Sequence, residues 1–232
     1  MNFFDEGQVL LFNKPKEWTS FDVVKKIRNL TRAKRVGHAG TLDPLATGLL
    51  IVCTGPMTKK IQTIQAAEKE YTGEFFFGAE TASYDLETPV EITYDITQLN
   101  EEVIQSAAKK FTGTTLQTPP LHSAVKVQGQ RAYKMARRGV KHTLDQKEIF
   151  INAFEIVKVQ LPVVEFRVVC SKGTYIRSLA FDLGHASGSG AYLQSLCRTR
   201  IGDYHLKDAW EIKKFAESEM VKQVKQHPKG TG

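Results

Sequence analysis

The chain has 232 residues, 41% hydrophobic and 25% charged, with a formal net charge of +7. That length and balance fit an ordinary globular protein with ample core, in one large domain or two small ones. They exclude a helical membrane span, because no apolar run reaches the roughly 18 residues one needs.

The opening Met1-Asn2-Phe3-Phe4-Asp5-Glu6 is acidic and lacks a charged-then-apolar targeting pattern, so a cytoplasmic location is expected. Cys53, Cys170 and Cys197 are scattered with no Cys-x-x-Cys pair, and the six histidines show no ligand spacing. Neither disulfide nor metal is expected, and the cysteines read as small hydrophobic residues. Charge is distributed unevenly: residues 1–60 carry +5, residues 61–125 carry −7 and residues 126–232 carry +9. Two basic segments around an acidic one favour a polyanionic partner, nucleic acid first, over plain solvated charge.

In chain order, residues 8–12 read as a short buried strand. A loop follows, Asn13-Lys14-Pro15-Lys16-Glu17-Trp18-Thr19-Ser20, and Thr19 with Asp22 three residues on makes a capping box. Phe21, Val24, Ile27 and Leu30 then form an apolar helical stripe, with Lys25, Lys26, Arg28 and Arg32 largely off it. Next comes Gly37-His38-Ala39-Gly40-Thr41-Leu42-Asp43-Pro44-Leu45-Ala46-Thr47-Gly48-Leu49-Leu50, punctuated by glycine, threonine and proline as a loop is. It has no Gly-Lys-Ser/Thr ending, so a phosphate cradle is poorly supported. Pro44 holds Asp43 out of the α region. Taken alone, this Asp-Pro pair is a turn start; the alternative is a positioned carboxylate, a nucleophile or base among cations.

Leu49 to Thr54 reads as a buried strand, 57–67 as a short helix, and 69–78 as an aromatic-rich strand carrying Tyr71. A loop follows at 78–88. Asn100 caps a helix over 101–111 with Val103, Ile104, Ala107, Ala108 and Phe111 on one face. Lys126, Arg131, Lys134, Arg137 and Arg138, interleaved with Tyr133, form the densest basic cluster and suit phosphate contacts along RNA. Residues 148–159 and 163–170 read as strands. Ile176, Leu179, Ala180 and Leu183 have helical spacing, which puts Arg177 in a first turn, against the helix dipole, where a carboxylate partner would explain it. Residues 191–196 are strand-like, 208–224 helical, and 225–232 a disordered tail.

Several of these segments together resemble the TruB family of tRNA pseudouridine synthases. Gly37 to Gly48 is similar to the family's signature loop, with Asp43 at the nucleophile. Gln117-Thr118-Pro119-Pro120-Leu121-His122-Ser123-Ala124-Val125-Lys126-Val127-Gln128-Gly129-Gln130-Arg131-Ala132-Tyr133 and Lys172-Gly173-Thr174-Tyr175-Ile176-Arg177 match two further motifs. Glu17 stands where the family has glycine, Ser83 for a threonine, Thr88 for a glycine, and Cys197 for the first arginine of Arg-Arg-Thr-Arg.

The resemblance covers roughly residues 8–205. It implies an α+β pseudouridine synthase fold, with a mixed, largely antiparallel sheet flanked by helices and RNA-binding loops. One catalytic domain over 1–224 is expected, with no room for a C-terminal PUA domain. The implied activity is isomerisation of a T-loop uridine of tRNA by a monomer, without metal or cofactor. Asp43 is the implied nucleophile, Arg177 its ion-pair partner, Tyr71 the residue stacked on the target base and Leu196 a lining of the uracil pocket. His38 is the candidate for contacting or replacing the flipped base. Lys14, with Lys126, Arg131, Tyr133 and Arg137, is expected to grip phosphates of the T-arm. Two readings compete: an RNA-binding or tRNA-folding module, and a pseudouridine synthase acting on another RNA.

Overall fold

The computed structural model describes residues 2–122, 126–127, 130–131 and 144–226. The chain divides into two compact units, Met1–Lys69 with Cys197–Gly232, and Glu70–Leu196.

In the first unit, β1 (Val9–Lys14) runs antiparallel to β3 (Thr47–Thr54), with Leu11 opposite Ile51 and Lys14 opposite Gly48. β3 is also flanked by β2 (Val36–Ala39), antiparallel, and by Cys197 and Arg198 of β12 (Ala191–Ile201), parallel. Leu50 and Val52 pack into one hydrophobic cluster, Leu49, Ile51 and Cys53 into another. A strand covered on both faces is continuously apolar rather than alternating, which is why Leu49 to Cys53 carries no polar residue.

The first cluster is closed by α1 (Phe3–Glu6) through Phe4, and by α2 (Ser20–Thr31). Both halves of the capping box are present at Thr19 and Asp22. The buried face of α2 is Ser20, Val23, Val24, Ile27 and Thr31; Phe21, expected on the apolar stripe, is 65% exposed. At about 100° per residue it lies a quarter-turn from the Val24–Ile27–Thr31 line.

The expected 57–67 helix is a 3₁₀ turn, Gly55–Lys60, continued by α3 (Ile61–Ala66). The expected 208–224 helix is interrupted. Trp210 and Glu211 extend as β14, parallel to β1, before α6 (Ile212–Ala216) and α7 (Glu219–Gln226). Pairing with Phe12 and Asn13 overrides the local helical preference there.

The second unit places β4 (Lys69–Phe77), β11 (Val163–Cys170), β10 (Lys147–Gln160) and β7 (Gly113–Gln117) in that spatial order, with the start of β12 on the other side of β4. The β10–β11 and β10–β7 pairs are antiparallel, as are the short pair β5 (Ala79–Thr81) and β6 (Val90–Thr93) and, in the first unit, the end of β12 with β13 (Tyr204–His205). A methyl group at Gly73 would collide with the Ser195 carbonyl, so β4 and β12 approach closely only with glycine there. α4 (Glu101–Lys109), capped by Asn100, and α5 (Ile176–Ala186) bury Ile104, Leu179 and Leu183 against Phe75, Phe154, Phe166 and Val168. Phe75 stacks on Phe166 at 3.9 Å between ring centres. The α+β class with largely antiparallel strands is the expected one. Among the described residues no helix is long and apolar enough to cross a membrane.

Candidate active site

The loop that carries Asp43 is pinned on both sides of it. The Ala46 N–H donates to the Asp43 carbonyl at 3.1 Å, with Pro44 and Leu45 at the centre of the turn. Before Asp43, the buried Leu42 donates its N–H to Ser20 Oγ (2.9 Å), and that hydroxyl lies 3.3 Å from the Leu42 carbonyl. After it, the Pro44 carbonyl accepts from the Glu17 N–H at 2.8 Å and from Lys14 Nζ at 3.1 Å. Arg198 donates from Nη2 to the Gly40 carbonyl (3.0 Å) and from Nε to the Leu49 carbonyl (2.8 Å). β1, α2, β12 and the 15–19 turn therefore all hold the loop's backbone, and the half-buried Asp43 is aimed by its surroundings.

Two of these donors are cations with almost no exposure, Lys14 at 0% and Arg198 at 1%. Arg198 can enter because Gly48 (φ +100°) lies against its backbone, where a methyl group would collide with the Arg198 carbonyl and N–H. Lys14 corrects an expectation. Its ammonium donates to the carbonyls of Pro15, Trp18 and Pro44 inside the protein, so it braces the loop and does not reach a phosphate.

Burial pulls the Lys14 pKa from its ordinary 10.5 to about 8; the Asp43 charge opposes that fall and Arg198 adds to it. Between about pH 8 and 10.5 the unfolded chain keeps this proton while the folded chain has released it. Stability from this group therefore rises with pH across that window. In urea titrations, wild type should gain on Lys14→Met from pH 8 to pH 10; parallel curves would refute the shift.

Glu17 departs from the family's glycine, yet its backbone is the one a glycine adopts, with φ 70°. The left-handed turn presents the Glu17 N–H to Pro44, so the chain keeps the geometry and carries the strain, roughly 1–2 kcal/mol for a residue with a Cβ. Glycine's extra unfolded-state entropy returns about 0.5–1 kcal/mol of that. Glu17→Gly is thus expected to leave stability unchanged or raise it by up to about 1.5 kcal/mol, read from denaturant midpoints.

In the second unit, Arg177 lies in the first turn of α5, 4% exposed. Its Nη1 donates to the Ser83 carbonyl (3.2 Å), its Nη2 to the His122 carbonyl (3.0 Å), and its Nε lies 3.6 Å from Asp85 Oδ2. Asp85, itself 5% exposed, is a carboxylate placed to offset the helix dipole there. Asp85 Oδ1 accepts from Ser83 Oγ at 2.6 Å and from the Glu87 N–H at 2.9 Å. The Ser83 and Thr88 hydroxyls are 2.9 Å apart. Two departures from the family pattern meet in one hydrogen-bond network, which keeps the Asp85 loop closed. Tyr71 on β4 and Leu196 on β12 are half-buried and pack against the core of this unit.

His38 sits half-buried on β2. Its pKa is held below 6.5 by burial, with the Gly40 backbone opposing and Arg198 assisting, so the ring is neutral at pH 7. Lys126 and Arg131 are backbone register partners where β8 (Lys126–Val127) pairs antiparallel with β9 (Gln130–Arg131). Tyr133, Lys134, Arg137, Arg138 and the tail from 227 lie outside the described residues.

Arg198, Ser20 and Asp85 do not stand out as site residues in the sequence. Asp85 lies in the 78–88 segment, which in the sequence reads only as a loop. For Arg198 the available signal was the Gly40 and Gly48 pair, each with a left-handed φ in the structure.

A family model described as TruB family pseudouridylate synthase (N terminal domain) matches residues 28–176. The tRNA pseudouridine synthase B of Flavobacterium johnsoniae is 50% identical over 220 residues, 92% of this chain and 96% of that protein. The tRNA pseudouridine synthase B of Phocaeicola vulgatus is 48% identical over 220 residues, 92% of this chain and 94% of that protein. Among solved structures, a chain of a Cbf5-Nop10-Gar1 complex matches with TM-score 0.73 at 28% identity, over 92% of this chain and 54% of that one. With a family model spanning more than half of its length and relatives this similar over nearly all of it, the chain belongs to the TruB family of pseudouridylate synthases.

Proposed function

We propose that this protein converts a uridine in the T-loop of tRNA into pseudouridine, with Asp43 as nucleophile. The observation that carries this reading is the bracing of Gly40, Leu42 and Pro44 around the half-buried Asp43 carboxylate. A module that only binds a polyanion has no use for a fixed negative charge among cations. The relatives' shared name, tRNA pseudouridine synthase B, supports the substrate class.

The reaction breaks the N1–C1′ bond, turns the uracil and forms a C5–C1′ bond. N1 gains a proton and C5 loses its hydrogen to solvent, so no group is transferred and no electron is gained or lost. One carboxylate suffices, unlike the paired carboxylates of glycosidases. Arg177, held by Asp85, supplies positive charge to the reacting carboxylate. Tyr71 stacks on the extruded base and Leu196 lines its pocket. The neutral His38 ring contacts or replaces the base, offsetting an unstacking cost of a few kcal/mol. The 126–137 segment grips T-arm phosphates.

The test is tritium release from tRNA transcripts labelled at uridine C5. Release that depends on an intact T-arm supports the reading. Binding without release from any T-arm substrate would leave an RNA-binding module.

A further inference from the structure

The solvent side of α2 carries Phe21, Lys25 and Arg28 at positions i, i+4 and i+7, a single stripe at 3.6 residues per turn, and the exposed Arg32 caps the same helix just past its last turn. Phe21 leads the exposed large hydrophobic side chains among the described residues, at 65%. Beside the stripe, Glu17, Trp18, Asp22, Lys25, Lys26 and Asn29 line a cleft of about 430 Å³. Among the described residues Lys25, Lys26 and Arg32 form no ion pair, whereas Arg167, Arg200 and Lys222 each meet a carboxylate. The nearby Asp22 carboxylate is engaged in the helix cap.

We propose that this face of α2 is a second RNA-contact surface, used for parts of the tRNA beyond the T-arm. It rests on the reading above that the substrate is a folded tRNA. Phosphates lie against Lys25, Lys26 and Arg32, and an unpaired base stacks on Phe21. An exposed aromatic ring among unpaired cations is the combination that holds unstacked nucleotides, through charge along the backbone and π-contact with the base. A membrane surface fits less well. Helices that lie in a bilayer need a broad apolar face, and that of α2 (Val23, Val24, Ile27) is already in the core.

The test compares wild type, Phe21→Ala and the double variant Lys25→Gln/Arg32→Gln, binding a fluorescent full-length tRNA transcript and a minimal T-arm hairpin. Arg28 is left intact because its Nη2 donates to the Val36 carbonyl at 3.2 Å. All substituted side chains are exposed, and melting temperatures confirm folding. The double variant is expected to bind full-length tRNA about ten-fold more weakly, with the slope of log K against log salt flattened by about 1.4 to 1.8, two contacts' worth. Phe21→Ala should weaken the same binding about five-fold or more. The hairpin should bind all three proteins within two-fold, and turnover at saturating tRNA should be unchanged while KM rises.

Wild-type affinity and salt slope in both variants would overturn the proposal. So would an equal loss on hairpin and tRNA, which makes the stripe part of the T-arm grip. Phosphatidylserine vesicles are a parallel binding arm, and a loss confined to them, with tRNA binding unchanged, would overturn the proposal and assign the face to membranes. The readout is binding, so wild type that binds but releases no tritium would remove the catalytic reading and leave this one standing.

Discussion

Asp43→Asn is expected to lower tritium release about 10⁴-fold or more while leaving tRNA affinity within about two-fold. The amide has nearly the carboxylate's shape but carries no charge and is no nucleophile. The loop should keep its conformation, because its backbone is held at Gly40, Leu42, Asp43 and Pro44 by hydrogen bonds that do not involve the Asp43 side chain. The loss should therefore fall on kcat, with the melting temperature within a few degrees of wild type. Retention of more than about 1% of wild-type activity in a preparation free of endogenous enzyme would remove Asp43 from the nucleophile role.

Arg198→Met should be the most damaging change to the support of that residue. Methionine fills a similar length and donates nothing, so the Gly40 and Leu49 carbonyls lose their donors inside the protein. Each unmet buried acceptor costs about 1–3 kcal/mol, and relief of one buried charge returns part of the sum. A net loss of about 2–4 kcal/mol is expected, a fall in melting temperature on the order of 5–15 °C for a chain of this size. Below that temperature kcat should still be reduced, on the order of ten- to a hundred-fold, because a loop freed at Gly40 no longer aims Asp43. Arg200→Met is the control. Arg200 pairs at 2.8 Å with Glu68 near the surface, and its loss should cost no more than about 1 kcal/mol. If the two variants were equally stable and equally active, the bracing role of Arg198 would be wrong.

Much of the framework follows from local chemistry. The Thr19–Asp22 capping box, the Asn100 cap, the Asp43-Pro44 turn and the apolar β3 run depend on neighbours in sequence, and all four appear in the structure. The 208–224 segment failed as one helix for the opposite reason, since two of its residues serve a strand edge offered by β1. Phe21 failed as a core residue because its angular position on α2 falls outside the buried arc.

By itself the sequence determined the Asp43 loop and its turn, the cap chemistry, the cation in the first turn of α5 and, through motif order, the family. Those are short-range facts, written in adjacent residues. Only the tertiary structure decided that Lys14 is a buried brace, that Arg198 reaches Gly40 across 158 positions, and that Asp85 is a carboxylate beside Arg177. It also joined Ser83 and Thr88 into one network and turned Phe21 outward. Lysine and arginine read alike in sequence whether they face water or a buried carbonyl. The difference lies in which acceptors the fold brings to them, and those acceptors come from distant parts of the chain.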